Sequence, residues 1–300
     1  MKRTVFTLLL VLAIQCAMVA VVYWPRLTGP AQDALEPLAA FAPASIDEIY
    51  VGDEYDNETM LRKTGDRWTL PELENLPADN AMVDRLLAAI TSSDTDWPIA
   101  DSTAARQRFQ VASYYYQRRI RLLENYAVLG SYFLGTSPGF RKIHIRNESQ
   151  DAIYSIAFNA FDAPGHSGGW LDRKLLQVRT PLRITADTYS LHRQGSDWQS
   201  GIGLRPDERE LEALLTSLRS LQVDGIANPD QQRDLAEAEA ALVLEVESLT
   251  GTVTLELFTL GDRYFVHSSE YPLTFTISAY DYERLLGIDF RLISGELNGE

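Results

Sequence analysis

The stretches "LRKTGDRWTL" at residues 61–70 and "LHRQGSDWQS" at residues 191–200 share a Gly-x-x-Trp pattern, with a spacing of 130 residues between them. A turn glycine between two short polar and apolar runs is typical of a β-hairpin. A helical pattern follows each hairpin, in "ADNAMVDRLLAAI" at 78–90 and "PDERELEALLTSL" at 206–218. Because the same order of elements occurs twice, we interpret the chain as an internal duplication.

The later parts of the two halves also correspond. Asp79 and Asp207 stand at N-cap positions before the helical patterns. Each half then contains four short stretches whose alternation and β-branched or aromatic content predict strands, followed by an amphipathic helix. The strands are "RRIRLL", "YAVLGSYFLG", "RKIHIR" and "AIYSIAF", then "ALVLEVE", "TVTLELFTL", "DRYFVHSS" and "LTFTISA", and the closing helices are "GGWLDRKLLQV" and "AYDYERLLG".

The N-terminal segment is uncharged from Thr4 to Trp24, which is long enough to span a bilayer as a helix. Lys2 and Arg3 precede it, and aromatic residues end it, as the positive-inside rule and an interfacial belt require. We therefore expect an uncleaved anchor in the bacterial inner (cytoplasmic) membrane, with the C-terminal region periplasmic. A cleaved signal peptide is the alternative. Cys16 is the only cysteine, so an internal disulfide is excluded.

These elements predict the α+β class, with an N-terminal transmembrane helix followed by two repeated modules, each an antiparallel β-meander with short helices. The expected domains are an anchor at 1–26, a proline-containing linker at 27–44, a first repeat at 45–180 and a second repeat at 181–300. The formal net charge of −15 argues against nucleic-acid binding, because so acidic a body repels phosphate.

One motif suggests an enzyme. Residues 165–169, Gly-His-Ser-Gly-Gly, fit the Gly-x-Ser-x-Gly pattern of serine hydrolases, with Ser167 as the nucleophile and His166, His192 or His267 as the base. The context argues against it, because the predicted strand ends several residues earlier and no long helix follows. We therefore predict a glycine-rich loop and no catalytic residue. The histidines have no metal-ligand spacing, so we expect no metal and no cofactor.

A basic strip is the feature that most suggests a site. Eight basic residues and one acid lie between positions 106 and 146, whereas the matching stretch at 230–247 has six acids. Two solvated faces, or neutralisation of one half by the other, would explain this contrast. The functional interpretation is a docking strip for an acidic partner or lipid headgroups. Its candidate residues are Arg118, Arg119, Arg121, Arg141, Lys142 and Arg146.

The chain resembles a family of bacterial envelope proteins known as a domain of unknown function, often encoded beside ABC transporters of the gliding-motility type. The resemblance rests on the basic start and single anchor, the turn at residues 65–68 with the "VDRLLAAI" helix, and "WLDRKLL" at 170–176 after a strand. It implies an accessory protein that acts with an ABC-transporter permease or another envelope protein, and it supplies no catalytic residues.

The leading hypothesis is therefore a non-enzymatic, single-pass membrane protein whose periplasmic region is a binding scaffold. A solute- or glycan-binding module is the first alternative, and it predicts a pocket between the repeats lined by aromatic residues such as those at 114–116. A hydrolase that uses Ser167 is the second alternative, and it predicts a histidine within hydrogen-bond reach of the serine Oγ.

Overall fold

The computed structural model describes residues 37–92, 97–139 and 141–296, together with residues 12–15, 17 and 18. Two eight-stranded antiparallel sheets form most of this part of the chain. The first sheet has the order β10-β9-β8-β7-β1-β2-β3-β4. Its strands are β1 (Glu48–Asp53), β2 (Glu58–Thr64), β3 (Arg67–Leu70), β4 (Leu76–Pro77), β7 (Arg118–Glu124), β8 (Ala127–Leu134), β9 (Ile143–Asn147) and β10 (Ile153–Ile156), while β5 (Val111–Ala112) and β6 (Tyr115–Tyr116) pair separately.

The second sheet has the order β13-β12-β11-β15-β16-β17-β18-β14. Its strands are β11 (Pro181–Ala186), β12 (Ser190–Gln194), β13 (Asp197–Ser200), β14 (Val223–Ile226), β15 (Leu242–Ser248), β16 (Gly251–Leu260), β17 (Arg263–Ser268) and β18 (Phe275–Ile277).

Seven strands follow the same order in the two sheets, from β10 to β3 in the first and from β18 to β13 in the second. The registers correspond as well. The ladder between β7 and β8 includes the pair Arg118–Leu134, and the ladder between β15 and β16 includes Leu242–Leu257 at the matching end. The two sheets therefore fit the repeated modules, and positions in one half can be matched to positions in the other.

Short helices cover the edges and faces of the sheets. In the first half, Asp79 caps α1 by accepting a hydrogen bond from the Met82 N–H, and Asp207 caps the equivalent α3 in the second half. Such caps satisfy backbone donors that have no partner within the helix. The α-helices are α1 (Asn80–Thr91), α2 (Thr103–Arg108), α3 (Glu208–Ser220), α4 (Pro229–Ala236), α5 (Ala279–Leu286) and α6 (Phe290–Ile293).

Residues 170–178 connect the two halves. The Asp79 N–H donates to the Trp170 carbonyl, and the Asp172 N–H donates to the Pro77 carbonyl. These two bonds attach the segment to the first half. Further along, the Val223 N–H donates to the Arg173 carbonyl, and the Val178 N–H donates to the Leu218 carbonyl. The segment is thus held by backbone hydrogen bonds on both sides.

One main hydrophobic cluster contains buried residues of both halves. Trp170 is among its largest fully buried side chains, and its indole N–H donates to the Pro164 carbonyl at 2.8 Å. Two smaller clusters lie apart from it. The first contains Phe133 of β8 under α2, and the second contains Phe258 of β16 under α4. The outer face of each sheet is therefore covered only in part.

The fold class predicted from the sequence is wrong. The described chain is mostly β-sheet with short helices, because segments without a clear pattern, such as β1 and β11, also pair into the sheets. The predicted transmembrane helix at residues 4–24 falls largely outside the described residues. Among those described, no helix combines the length and the apolar character needed to cross a membrane. We predicted an α+β fold that begins with a transmembrane helix, and the structure instead shows two repeated antiparallel sheets.

Most local predictions within the repeats are confirmed, and one predicted helix is wrong. Gly65 and Gly195 have φ values of 62° and 61°, in the left-handed region that favours glycine in tight turns, so both predicted hairpins are confirmed. The eight predicted strands and the helix at 279–286 are confirmed as well. The predicted helix "GGWLDRKLLQV" is wrong, since only residues 167–170 form a 3-10 turn. The rest of that segment forms turns and hydrogen-bonds to both halves.

Truncating the central indole should destabilise both halves together. We expect Trp170→Ala to lower the free energy of unfolding by about 3–5 kcal/mol, because it removes a large buried side chain and leaves a cavity. Trp97→Ala is the control, since Trp97 is 71% exposed and its loss should change stability by less than about 0.5 kcal/mol. Denaturant unfolding of the two variants measures the difference, and equal effects would contradict the central role of Trp170.

Candidate functional site

Two arginines of the predicted strip lie side by side on the outer face of the first sheet. Arg119 and Arg121 alternate along β7, and their Nη2 atoms contact the two carboxylate oxygens of Glu58 on β2 at 3.0 and 2.8 Å. Strand β1 separates β7 from β2. The arginines reach across it beside Gly52, which stands opposite both Arg119 and Glu58 in the register. A Cβ at Gly52 would lie 3.7 Å from the Glu58 Oε1 and 3.8 Å from the Arg119 Cβ, so only a small residue fits beneath this contact without touching it closely.

Aromatic rings support the same two guanidinium groups. The guanidinium carbon of Arg121 lies 4.6 Å from the ring centroid of Tyr50, and that of Arg119 lies 6.0 Å from the centroid of Tyr116. Cation–π contacts of this kind fix the planes of the guanidinium groups while their edges remain accessible. The side chains of the two arginines are 38% and 33% exposed. We call Tyr50, Glu58, Tyr116, Arg119 and Arg121 the basic face.

The structure does not bring the six predicted strip residues together. Arg118 points away from the basic face and donates to the Ala163 and Gln117 carbonyls at 2.7 Å. Arg146 is 4% exposed and donates to backbone carbonyls in the loop at 147–150 and to that of Val111. It is a buried structural residue, so its assignment to a docking strip is corrected. Arg141 and Lys142 are exposed in a turn before β9.

The opposite charge of the two halves appears at matched positions. By the register, Glu245 of β15 corresponds to Arg121 of β7. The ion pairs of the basic face join residues of the first half, and Arg183 pairs with Glu247 inside the second half at 3.5 Å. Each of these ion pairs therefore lies within one sheet.

Ser167 of the Gly-x-Ser-x-Gly motif is buried at the start of the 3-10 turn at 167–170. Its Oγ lies 2.7 Å from the Thr59 Oγ1 and donates a short hydrogen bond to the carboxylate of Glu72. The neighbouring His166 uses its Nδ1 to accept from the Gly169 N–H. The hydrolase alternative expected a histidine at Oγ, whereas Thr59 and Glu72 are the groups that hydrogen-bond to it here.

The glycines of the same motif are explained by close packing. A Cβ at Gly169 would lie 2.5 Å from the Pro164 ring, and a Cβ at Gly165 would lie 2.9 Å from Asp53. A nucleophile elbow requires glycines because its turn is sharp and strained. Here they are required because the loop packs against its own proline and the end of β1.

His144 is the histidine with the most distinctive surroundings. It is 5% exposed, its ring centroid lies 4.2 Å from that of Phe109, and its Nδ1 hydrogen-bonds with the Thr136 Oγ1 at 2.9 Å. Burial lowers the pKa of His144 below its ordinary value of 6.5, and Arg108 lowers it further, although a hydrogen bond with the Thr136 backbone acts in the opposite direction. In the part of the chain that the structure describes, no group of three or more histidine, cysteine or acidic residues could hold a metal ion.

A cavity that sequence reasoning missed lies on the outer face of the second sheet. Its volume is about 520 Å³, and both polar and apolar residues of α4, the following loop, β16, β17 and the loop before β18 form its walls. Glu256 of β16 and His267 of β17 face each other in the register, and both line the cavity. Strand alternation would have placed each on the outer face, but the pairing of the two strands is a long-range contact that alternation does not reveal.

The matched positions in the first sheet are covered. Phe133 of β8 and Arg146 of β9 form the pair that corresponds to Glu256 and His267. There, α2 and the β5–β6 hairpin lie over the sheet, and the carbonyl of Val111 accepts from Arg146. The two halves share a fold, but only the second leaves a cavity at this position.

The aromatic residues expected to line a pocket between the repeats lie elsewhere. Tyr114 and Tyr115 are exposed on the β5–β6 hairpin of the first half, and their hydroxyl groups accept hydrogen bonds from Gln107 and Gln110. These contacts hold the hairpin against α2 and the residues that follow it. Neither tyrosine lines the cavity on the second sheet.

Comparison with known proteins identifies one relationship. The model of a family described as "Domain of unknown function (DUF4340)" matches residues 68–240, more than half of the chain. This range begins at the first Gly-x-x-Trp tryptophan and ends just before β15. The curated proteins contain no significant match. The solved structures contain none either.

The lowered pKa of His144 predicts an acid-dependent loss of stability. Because the unfolded chain binds a proton at higher pH than the folded one, the stabilisation from neutral His144 is present above pH 6.5 and is lost as the pH falls through the lowered pKa. The unfolding free energy of the wild-type chain should fall between about pH 7.5 and pH 5, and we expect it to fall less in His144→Gln. Denaturant titrations at several pH values test this, and an unchanged slope in the variant would contradict it.

Proposed function

Because the chain belongs to the DUF4340 family, whose description assigns no activity, we propose its function from geometry: it is a non-enzymatic binding protein whose basic face docks an acidic partner protein. The observation that carries the proposal is the sharing of Glu58 by Arg119 and Arg121. Two guanidinium groups on one carboxylate leave one positive charge in excess, on a protein whose formal net charge is −15.

The composition of the basic face suits an interface. Arginine and tyrosine are enriched at the centres of protein interfaces, where they contribute much of the binding energy. Glu58 accepts one hydrogen bond from each guanidinium, and each guanidinium carries further donors that a partner carboxylate can use. Because the strands and rings already fix both arginines, little side-chain entropy is lost when a partner binds.

The partner we propose is an envelope protein, with an ABC-transporter permease as the first candidate. The family resemblance set out from the sequence favours this class, and it also favours a periplasmic position for the binding region. The charge of the basic face adds a chemical requirement, since the contact surface of the partner must present Asp or Glu side chains. Raised salt should weaken the complex, because the arginines are partly exposed to solvent.

Reversing the two shared arginines tests the proposal. We expect Arg119→Glu/Arg121→Glu to abolish co-purification of the transporter subunit with the full-length chain after cross-linking in native cells, because three carboxylates would then repel an acidic partner. The control is Arg233→Glu/Arg263→Glu, which changes the charge equally on exposed positions of the second half. Thermal unfolding confirms that both variants fold. Equal capture of the permease by a folded double variant would contradict the proposal, as would its absence with the wild-type chain.

A second candidate function is solute or glycan binding, and the cavity at Glu256 and His267 favours it. Its volume of about 520 Å³ falls in the range of small-molecule sites. Phe258 and Leu235 supply an apolar wall, while the carboxylate and the imidazole supply polar groups that could orient a ligand. Gln232 is already used, since it hydrogen-bonds to the Thr274 backbone in both directions.

Filling the mouth of the cavity tests this candidate. Native mass spectrometry of the chain purified from its own cells should show a bound small molecule, and Ala238→Phe should remove it, because Ala238 is exposed and lines the cavity. Ala104→Phe is the matched control on exposed α2 in the first half. A bound molecule retained by Ala238→Phe, or a wild-type chain without one, would count against solute binding at this place.

A further inference from the structure

The cavity on the outer face of the second sheet lies where the first half is filled by its own chain. In the first half, β5 lies over β8 and β9 and buries Val111, which is 0% exposed and packs with Phe133 and Ile153. The Val111 carbonyl accepts a hydrogen bond from the Arg146 Nε at 2.8 Å. A branched apolar side chain next to a backbone carbonyl therefore fills this face of the first sheet.

The second half, which the structure describes up to residue 296, has no such hairpin at the equivalent place. Residues 109–117 separate α2 from β7 and include β5 and β6, whereas residues 237–241 alone connect α4 to β15. By the register, Glu256 and His267 replace the pair that lies under β5. The cavity of about 520 Å³ is lined by these two residues and is the space that β5 fills in the first half.

Glu256 and His267 are polar groups that are free to bind a ligand. They face each other across β16 and β17 and are partly buried. Within the described residues, neither side chain forms a hydrogen bond or an ion pair. A carboxylate accepts hydrogen bonds and an imidazole N–H donates one, so the cavity offers an acceptor and a donor side by side.

Phe258 limits how far an occupant can extend along the sheet. In the register it corresponds to Gly135 of the first half. A Cβ at Gly135 would overlap the carbonyl oxygens of Phe109 and Gln110, so the backbone that leads into β5 needs a glycine beneath it. The Phe258 side chain stands at that place in the second half. A chain that lies there in the same way must therefore begin where Val111 lies, with its amino terminus beside Phe258.

We propose that this cavity binds the free amino terminus of a short peptide whose first side chain is small, branched and apolar, as in valine. The ligand class rests on the second candidate function, solute binding at the same cavity. The terminal ammonium pairs with Glu256, which lies two residues from Phe258 on the same face of β16. The first carbonyl accepts from His267, as the Val111 carbonyl accepts from Arg146 in the first half.

Charges around the cavity favour an ammonium group. Glu256 is among the residues that line it, and these described residues include no lysine or arginine. Glu237 and Glu239 are exposed in the loop that forms one wall. An amino terminus is thus attracted to the cavity, whereas a free carboxylate is repelled.

The test is calorimetric titration of the full-length chain with the amidated tripeptide Val-Ala-Ser, which has the sequence of residues 111–113. We expect saturable binding that acetylation of the amino terminus weakens about tenfold or more, because the ammonium is then lost. Glu256→Gln should weaken binding of the free peptide by a similar factor and leave that of the acetylated peptide unchanged. Glu245→Gln is the matched control, because it removes the same charge from an exposed position of the same sheet.

Ala238→Phe, which fills the mouth of the cavity, should abolish binding of the tripeptide, whereas Ala104→Phe should not change it. Binding that Ala238→Phe leaves intact, or equal affinity for the free and acetylated peptides, would overturn the proposal. A wild-type chain that does not bind the tripeptide at its highest soluble concentration would overturn it as well. If that chain still carries another small molecule that Ala238→Phe removes, solute binding stands and the peptide is refuted. If it carries none, both fail.

Discussion

The structure depends on the backbone hydrogen bonds of residues 170–178. These bonds attach one segment to the start of α1 on one side and to the end of α3 and the start of β14 on the other. They are directional and lie beside the fully buried Trp170, so breaking them would leave polar groups without partners in an apolar environment. The two sheets consequently share one main core, and the surfaces that each half presents are held in fixed relation to that core.

Features that recur in both halves are those that the fold requires, and features found in one half only are not. The left-handed turn glycines, the aspartate caps and the seven-strand order recur in both, so they serve the architecture. The coverings differ. In the first half Trp68 is buried and α2 covers part of the outer face, whereas in the second half Trp198 is only partly buried and a cavity lies at the position that matches the covered one. Because the first half has the same fold without this cavity, the cavity is a candidate for binding.

Features determined by neighbouring residues could be predicted from the sequence. Turn glycines, N-caps and alternating strands depend on local conformation, and each was found where its pattern indicated. The contacts that side chains make could not be predicted, because they depend on which residues face each other in paired strands. Alternation along β7 separates Arg118 from Arg119, but only the pairing with β1 and β2 shows that Arg119 reaches Glu58. The segment "WLDRKLL" has a helical period, yet hydrogen bonds to distant residues replace those of a helix.

The basic face shows how such a surface can be selective without being strongly charged. Glu58 holds Arg119 and Arg121 at a fixed separation, so an incoming carboxylate meets an ordered pair of guanidinium edges instead of two flexible side chains. At the matched position of the other sheet, Glu245 replaces Arg121, and a partner that suits the first sheet would be repelled by the second. If the basic face is the docking surface that we propose, the opposite charge at Glu245 would favour binding of an acidic partner to the first sheet over the second.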